Sequence, residues 1–399
     1  MTKKITGNNQ YLKELNKAAV LDLIRKNKRL SRKELANLTG LSPTACGSIT
    51  RELIKDGFLH ETGHGESTGG RKPVMLELKP NSYYAVGFDI GMNELKMVIA
   101  DITASILVQK EFRYSSGISV DKAIELIGEK FFEIISTEKL DFEKFLGCGL
   151  SIPGILDRKT NKVIMAPNLS WNEVDLDSKV SKVLKMPVYI ENEAVCSAIC
   201  EHWIGKCSGM ENFVCINIES GIGAGIFIGD SIYRGYSGSA GEIGHLTVKE
   251  NGRLCGCGNR GCLETYASIR HMLKEINERI RNGYSSDVIR PGTEALSWKQ
   301  VVDAAYRGDE LCIEVLNNGT RYIGFAIAYL INTLNPEAVV IGKSFTEYAP
   351  LVFGTLIETV REKALKYPAS KVKILTSEFG MNSSAMGAAM IPIRKIFGK

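Results

Sequence analysis

The sequence predicts an α/β protein in which a small basic helical head precedes a body of two halves with similar strand and helix order. Three observations predict it. Residues 1–80 read as short capped helices followed by two brief alternating strands. Beyond Tyr83 the chain turns strand-rich, and the order of strands and helices begins again near Ile190. The 399 residues, 44% hydrophobic and 24% charged, suffice for two or three domains with cores of their own. No apolar run approaches a membrane span, and the start MTKKITGNNQ has no apolar signal segment. The expectation is a cytoplasmic protein with no membrane partner.

The head opens with an amphipathic helix over residues 9–27, with Leu12, Leu15, Ala19, Val20, Leu23 and Ile24 on one face. Ser31 and Glu34 have the spacing of a capping box and begin a second helix through Leu38, closed by Gly40. Ser42 then caps a third helix with Pro43 at its first position. This helix runs to about Asp56, burying Cys46, Ile49 and Leu53 and presenting Thr44, Ser48, Arg51 and Lys55. Such an arrangement is a helix-turn-helix, although three small helices also make interaction modules. The strands Phe58–His60 and Val74–Leu78 flank a polar, Gly-rich tip carrying Arg71 and Lys72. That tip reads as a wing for phosphate or minor-groove contact, the alternative being a linker. The return to an apolar strand decides for the wing. Residues 1–80 hold 15 Lys+Arg against 8 Asp+Glu, while the remainder holds 35 against 37. A basic head on a near-neutral body points to DNA as the partner of the head alone, with Pro43, Thr44, Ser48, Arg51, Arg71 and Lys72 as candidate contacts.

In the body, Tyr84–Ile90, Leu95–Ile102 and Ile106–Arg113 read as adjacent strands, Val120–Ser136 as a helix and Leu146–Ile152 as a further strand. The second half offers strands at 213–218 and 225–228, a helix around 265–282, a long helix at 309–333, the strand Ala338–Ile341 and a helix near 350–366. A last helix, Ser383–Phe397, is expected to pack back on the first half. Between Ile218 and Ile226 lies a glycine-rich stretch, read as a turn where backbone approaches a ligand or another segment.

Next come His245, Cys255, Cys257 and Cys262, one imidazole and three sulfurs, the ligand count of a closed tetrahedral zinc site. The alternative is three buried thiols and a surface histidine. Gly252, Gly256, Gly258 and Gly261 argue against it, because they make a tight loop and neither a core strand nor a core helix. The other seven of the ten cysteines (Cys46, Cys148, Cys196, Cys200, Cys207, Cys215 and Cys312) read as reduced core thiols.

The block Gly221-x-Gly-x-Gly followed by Ala240-Gly-Glu-Ile-Gly-His, with the loop Cys255-Gly-Cys-Gly-Asn-Arg-Gly-Cys-Leu-Glu, resembles the signature of the ROK family (repressors, open reading frames, kinases). The resemblance covers nearly the whole chain. It implies a winged helix-turn-helix over residues 1–80 and a two-lobed actin-like body of the RNase H-like, sugar-kinase type, whose lobes close on a cleft. The first lobe would span 81–190 with 381–399 packed against it, and the second 191–380 with the zinc loop and the sugar site. The sugar-binding residues it implies are Asn168, Asn192, Glu193, Glu242, His245 and Glu264. Carboxylates and amides suit that task because a sugar hydroxyl both donates and accepts.

Measured against the family's kinases, the sequence departs in four places. It reads Asp89-Ile-Gly-Met-Asn for Asp-x-Gly-Gly-Thr, Glu219-Ser-Gly for Gly-Thr-Gly, and Gly342-Lys-Ser for Gly-Gly. It also has Glu193 where the kinases place an aspartate base. Glu219 adds negative charge beside a phosphate position, and one methylene moves a carboxylate by about 1 Å, which costs roughly a hundredfold in a positioned reaction. Glu191-Asn-Glu-Ala, Gly69-Gly-Arg-Lys-Pro-Val-Met-Leu and Ile152-Pro-Gly-Ile-Leu-Asp resemble the xylose-responsive repressors of Gram-positive bacteria. The expectation is therefore a non-enzymatic repressor of operator DNA, a homodimer or dimer of dimers, released by a monosaccharide, xylose first. The alternatives are a sugar kinase with an appended head, a repressor answering glucose or N-acetylglucosamine, and one answering a protein partner.

Overall fold

The computed structural model describes residues 9–65, 72–157, 159–284 and 296–398. They fall into two compact units. Unit 1 takes in the chain up to Ile152, Leu169–Glu191 and Ala388 onward; unit 2 is Pro153–Asn168 and Asn192–Gly387. In chain order the head contains α1 (Asn9–Asn27), β1 (Leu30–Ser31), α2 (Arg32–Thr39), α3 (Pro43–Lys55), β2 (Leu59–His64) and β3 (Val74–Leu78). The body continues with β4 (Tyr84–Ile90), β5 (Glu94–Asp101), β6 (Ile106–Arg113), α4 (Val120–Thr137), β7 (Phe145–Ile152), β8 (Ile155–Asp157), β9 (Lys162–Ala166), β10 (Trp171–Val174), α5 (Leu176–Leu184) and β11 (Val188–Asn192). It ends with α6 (Glu193–Trp203), β12 (Phe213–Ile218), β13 (Ile222–Ile228), β14 (Ser231–Tyr233), α7 (Glu264–Ala267), α8 (Ile269–Arg281), α9 (Trp298–Tyr306), α10 (Glu310–Leu334), β15 (Ala338–Lys343), α11 (Phe345–Lys363), α12 (Lys366–Lys371), β16 (Lys373–Thr376) and α13 (Ser383–Ile396).

The head folds as its local signals direct. Ser31 and Glu34 complete the capping box, and Gly40 ends α2 with a left-handed φ of 71°. Ser42 accepts from Ala45 N at 3.2 Å, with Pro43 at the first turn of α3. Val20, Leu21 and Ile24 of α1 meet Leu35, Cys46, Ile49, Leu53, Leu59 and Leu76 in one core, all buried. One expectation fails. Leu12 and Leu15 are 50% and 46% exposed and Ala19 is open, while Leu21 is buried. The helix is about 28 Å long, and only its C-terminal half lies over the head core. β3 pairs antiparallel with both β1 and β2. The head joins the rest of unit 1 through Phe58 stacked on Tyr83, with centroids 4.5 Å apart, and through Tyr83 Oη donating to Asp56 O at 2.6 Å.

Each unit holds a five-stranded sheet of the same connectivity, β6-β5-β4-β7-β11 in unit 1 and β14-β13-β12-β15-β16 in unit 2. In both, the first three strands in sequence form an antiparallel meander, and the first of them then pairs parallel with a later strand. This duplicated sheet is the actin-like body. Its strands β4, β12 and β15 are buried along their whole length, as strands covered on both faces must be.

The glycine-rich stretch differs from its reading as a turn. β13 begins at Ile222, so Gly223 and Gly225 lie inside a strand. The cause is α6, which packs directly on that strand. A Cβ at Gly225 would fall 2.5 Å from both Ala194 O and Ala198 Cβ. Gly225→Val is accordingly expected to destabilise unit 2 by about 1–3 kcal/mol through overpacking, read as a lowered denaturant midpoint; an unchanged midpoint would contradict this packing.

Candidate functional site

On the head, α3 buries Cys46, Ile49, Thr50 and Leu53 and leaves Thr44, Ser48, Arg51 and Lys55 exposed at successive spacings of four, three and four, which is one helix face. Pro43 and Lys72 are exposed as well. Arg71 lies outside the described residues. The side of α3 away from this face is tied down, since Arg32 Nε donates to Thr50 Oγ1 at 3.2 Å and Arg32 Nη2 to Glu61 Oε1 at 2.7 Å. A polar and cationic face on a held helix is what groove insertion needs.

In unit 2, the ligand atoms of His245, Cys255, Cys257 and Cys262 all lie within 4.8 Å of one another. Cys257 Sγ is 3.7 Å from Cys262 Sγ, and Cys255 Sγ is 3.7 Å from His245 Nδ1. A tetrahedral ion with bonds of about 2.3 Å to sulfur holds its ligands roughly 3.8 Å apart. The four side chains therefore fit a metal ion with a complete protein shell. The loop is set by short-range bonds: Cys255 N to Asn259 O at 2.8 Å, Gly258 N to Cys255 O at 3.0 Å, and Gly261 N to Arg253 O at 2.8 Å. Positive φ at Gly258 and Gly261 lets it close. All seven remaining cysteines are buried and form no disulfide, as core thiols do.

The polar residues group around this loop in part. Cys255 Sγ donates to Glu264 Oε1 at 3.0 Å, and His245 Nδ1 is 3.9 Å from the same oxygen. His245 thus turns Nδ1 to the thiols, with Nε2 on the other edge of its ring. Glu242 is exposed as a residue, yet desolvation of its carboxyl raises its pKa; Glu264 adds to the rise and His245 opposes it. Glu242, His245 and Glu264 are one electrostatic group. Glu242 and His245 are held beside β13 because Ala224 N donates to Gly241 O at 2.8 Å, and at Gly241 (φ 97°) any Cβ would overlap Ala224 O.

Asn192 and Glu193 begin α6. Asn192 Oδ1 accepts from Ala194 N at 2.8 Å and Val195 N at 3.4 Å, and its Nδ2 donates to Gly154 O at 3.0 Å. It is a helix N-cap, a role the sequence reading did not assign, although Asn before a helix is the signal for one. Asn168 is exposed in the turn Pro167–Leu169 that follows β9. Glu193 meets a charge that the sequence reading had not placed beside it. Its Oε1 is 3.7 Å from Lys343 Nζ, and Glu219 Oε2 is 3.9 Å from the same ammonium. Lys343 is buried and takes a left-handed φ of 57°, a conformation costing roughly 1–2 kcal/mol for a residue with a Cβ.

Residues 85–395 match the ROK family, and residues 13–59 match a winged helix-turn-helix DNA-binding family. The chain belongs to the ROK family. The xylose repressor of Bacillus subtilis (strain 168) is 31% identical to it over 96% of each chain. The DNA-binding transcriptional dual regulator NagC of Escherichia coli (strain K12) is 27% identical over 96% of this chain and 93% of its own. A solved ROK family transcriptional regulator, described as a homolog of the E. coli MLC protein, superposes with a TM-score of 0.84 at 28% identity, covering 97% of this chain and 96% of the other. With named regulators matched end to end and a winged head in place, this is a ROK regulator and not an enzyme.

Within the ROK frame, three of the four departures from the kinase pattern are one cluster. Glu193, Glu219 and Lys343 sit on three different elements and meet as two carboxylates and one cation. The fourth, around Met92, lies in unit 1. There Asp89 accepts from Ser151 Oγ at 2.5 Å.

Proposed function

We propose that this ROK protein is a sugar-responsive transcriptional repressor: the head, residues 1–80, binds operator DNA, and a monosaccharide bound in unit 2, xylose first, releases it. The single observation that carries the reading is the exposed Thr44–Ser48–Arg51–Lys55 face of α3, a DNA-reading surface on the same chain as a sugar-kinase-type body. Thr44, Ser48, Arg51 and Pro43 contact the major groove or its edge, and Arg71 and Lys72 contact the backbone from the wing. Asn168, Asn192, Glu193, Glu242, His245 and Glu264 form the sugar set. His245, Cys255, Cys257 and Cys262 hold a structural Zn2+, whose chemistry is to fix the loop that presents His245 and Glu264, since four protein ligands leave no position for water.

The regulator acts in the cytoplasm as a homodimer or dimer of dimers, placing two heads on two half-sites. Inducer binding shifts the population toward a state that holds DNA poorly; turning occupancy from about 99:1 to 1:99 takes about 5.5 kcal/mol of differential affinity. Xylose is favoured by the xylose repressor relative, and an N-acetylglucosamine-type sugar by the likeness to NagC. No helix among the described residues is long and apolar enough to cross a membrane.

The test is calorimetric titration of the protein with D-xylose, D-glucose and N-acetyl-D-glucosamine, with and without a DNA fragment selected by its own binding. Saturable xylose binding that weakens with DNA present supports the reading. DNA affinity indifferent to every sugar would assign regulation to a protein partner. No sugar-dependent ATP turnover is expected in a coupled assay. Rates in the ordinary enzyme range of about 1–1000 per second would contradict the absence of kinase function.

A further inference from the structure

Lys343 is a closely constrained charge of unit 2. It ends β15 with its side chain 1% exposed and its backbone in the left-handed region. A buried ammonium is retained only where counter-charges hold it, and a strained backbone only where its surroundings fix it. Both conditions are met by three elements. The parallel register of β12 and β15 pairs Lys343 with Ile218, and Ser344 N donates to Ile218 O at 3.1 Å. That places Glu219 Oε2 3.9 Å from the ammonium, while Glu193 Oε1 approaches to 3.7 Å from the first residue of α6. Glu219 in turn begins the turn that leads toward the metal loop: its N–H donates to Gly221 O at 2.9 Å, and Glu264 Oε2 is 3.5 Å from where a Gly221 Cβ would stand. Glu264 accepts from the ligand thiol of Cys255. Contacts thus join Glu193, Lys343 and Glu219, and the turn that Glu219 begins stands beside Glu264 of the metal loop.

We infer that Lys343 is a positioning residue for inducer binding. It shares its charge between Glu193 and Glu219 and so fixes the Glu193 carboxylate where the sugar meets it. This rests on the reading of Glu193 as a sugar-facing residue. Without Lys343 the shared cation is gone, and Glu193 loses its place.

The experiment is a double-mutant cycle on the full chain: wild type, Lys343→Met, Glu193→Gln and the pair, each titrated calorimetrically with whichever of D-xylose, D-glucose and N-acetyl-D-glucosamine the wild type binds tightest. Lys343→Met is expected to weaken that sugar about tenfold or more, and to add no more than about twofold in the Glu193→Gln background. A merely structural lysine would give losses that add. If Lys343→Met shows no cooperative unfolding transition, Glu219→Gln takes its place; it is expected to weaken the sugar several-fold and again to add nothing beyond Glu193→Gln. Additive losses, or a Lys343→Met variant with wild-type affinity, overturn the inference alone. A wild type that binds none of the three sugars overturns the functional reading and the inference with it.

Discussion

Cys257→Ser is expected to strip the protein of its metal and make it deaf to inducer while leaving it able to hold DNA. Cys257 is the exposed member of the four, so losing its sulfur removes little packing. On the proposed zinc reading, what it removes is one of four bonds to the ion. The ligand atoms lie close together because a loop of glycines and short backbone bonds folds around them, and on that reading a metal keeps three thiols and an imidazole there. With it gone, His245 and Glu264 lose their fixed wall, since Glu264 Oε1 stands 3.0 Å from Cys255 Sγ and His245 faces both. Metal analysis should fall from stoichiometric to near nothing, and sugar affinity by at least about tenfold. DNA affinity should stay within about twofold of wild type, because the head has its own core. A variant that retains its metal, or loses it and still binds sugar as wild type does, would break the link between metal loop and sugar.

Arg51→Ala should weaken binding to the cognate operator by about 1–3 kcal/mol, roughly 5–150-fold, and binding to random DNA far less. Arg51 is exposed on the one face of α3 that the head core does not cover, and removing it disturbs no buried group. Lys72→Ala should instead lower affinity for all sequences alike and reduce the salt slope by about one. Fluorescence anisotropy over a salt series separates the two. Unchanged affinity in both variants would take DNA reading away from α3 and the wing.

Why some of this was legible and some not follows from the range of the forces. The head could be read because its punctuation is local: Ser31 with Glu34, Gly40, and Ser42 with Pro43 each act within a few residues, and all three took their expected roles. The first helix was half misread because periodicity reports an apolar face but not what covers it; Leu12 and Leu15 match the pattern and remain exposed. Gly223 looked like part of a turn, since sequence alone cannot tell a glycine that bends the chain from one that admits a helix. α6 itself went unread, and with it the capping role of Asn192. The metal set was legible from ligand chemistry and spacing, and the cluster assembles as expected. The link between Glu193, Glu219 and Lys343 was not, because it depends on the register of β12 with β15 and on where α6 starts, neither of which is a local property. Each of the three had been noted as a separate departure from the kinase pattern; their opposite charges were the available clue that they meet.

The most direct test of the central claim is one titration. The full-length protein is bound to a DNA fragment selected by its own affinity, and D-xylose is added while anisotropy follows the DNA. A sugar-responsive repressor predicts saturable release, reversed on dilution of the sugar and absent in Cys257→Ser. A complex that stays intact through saturating xylose, D-glucose and N-acetyl-D-glucosamine alike would contradict it.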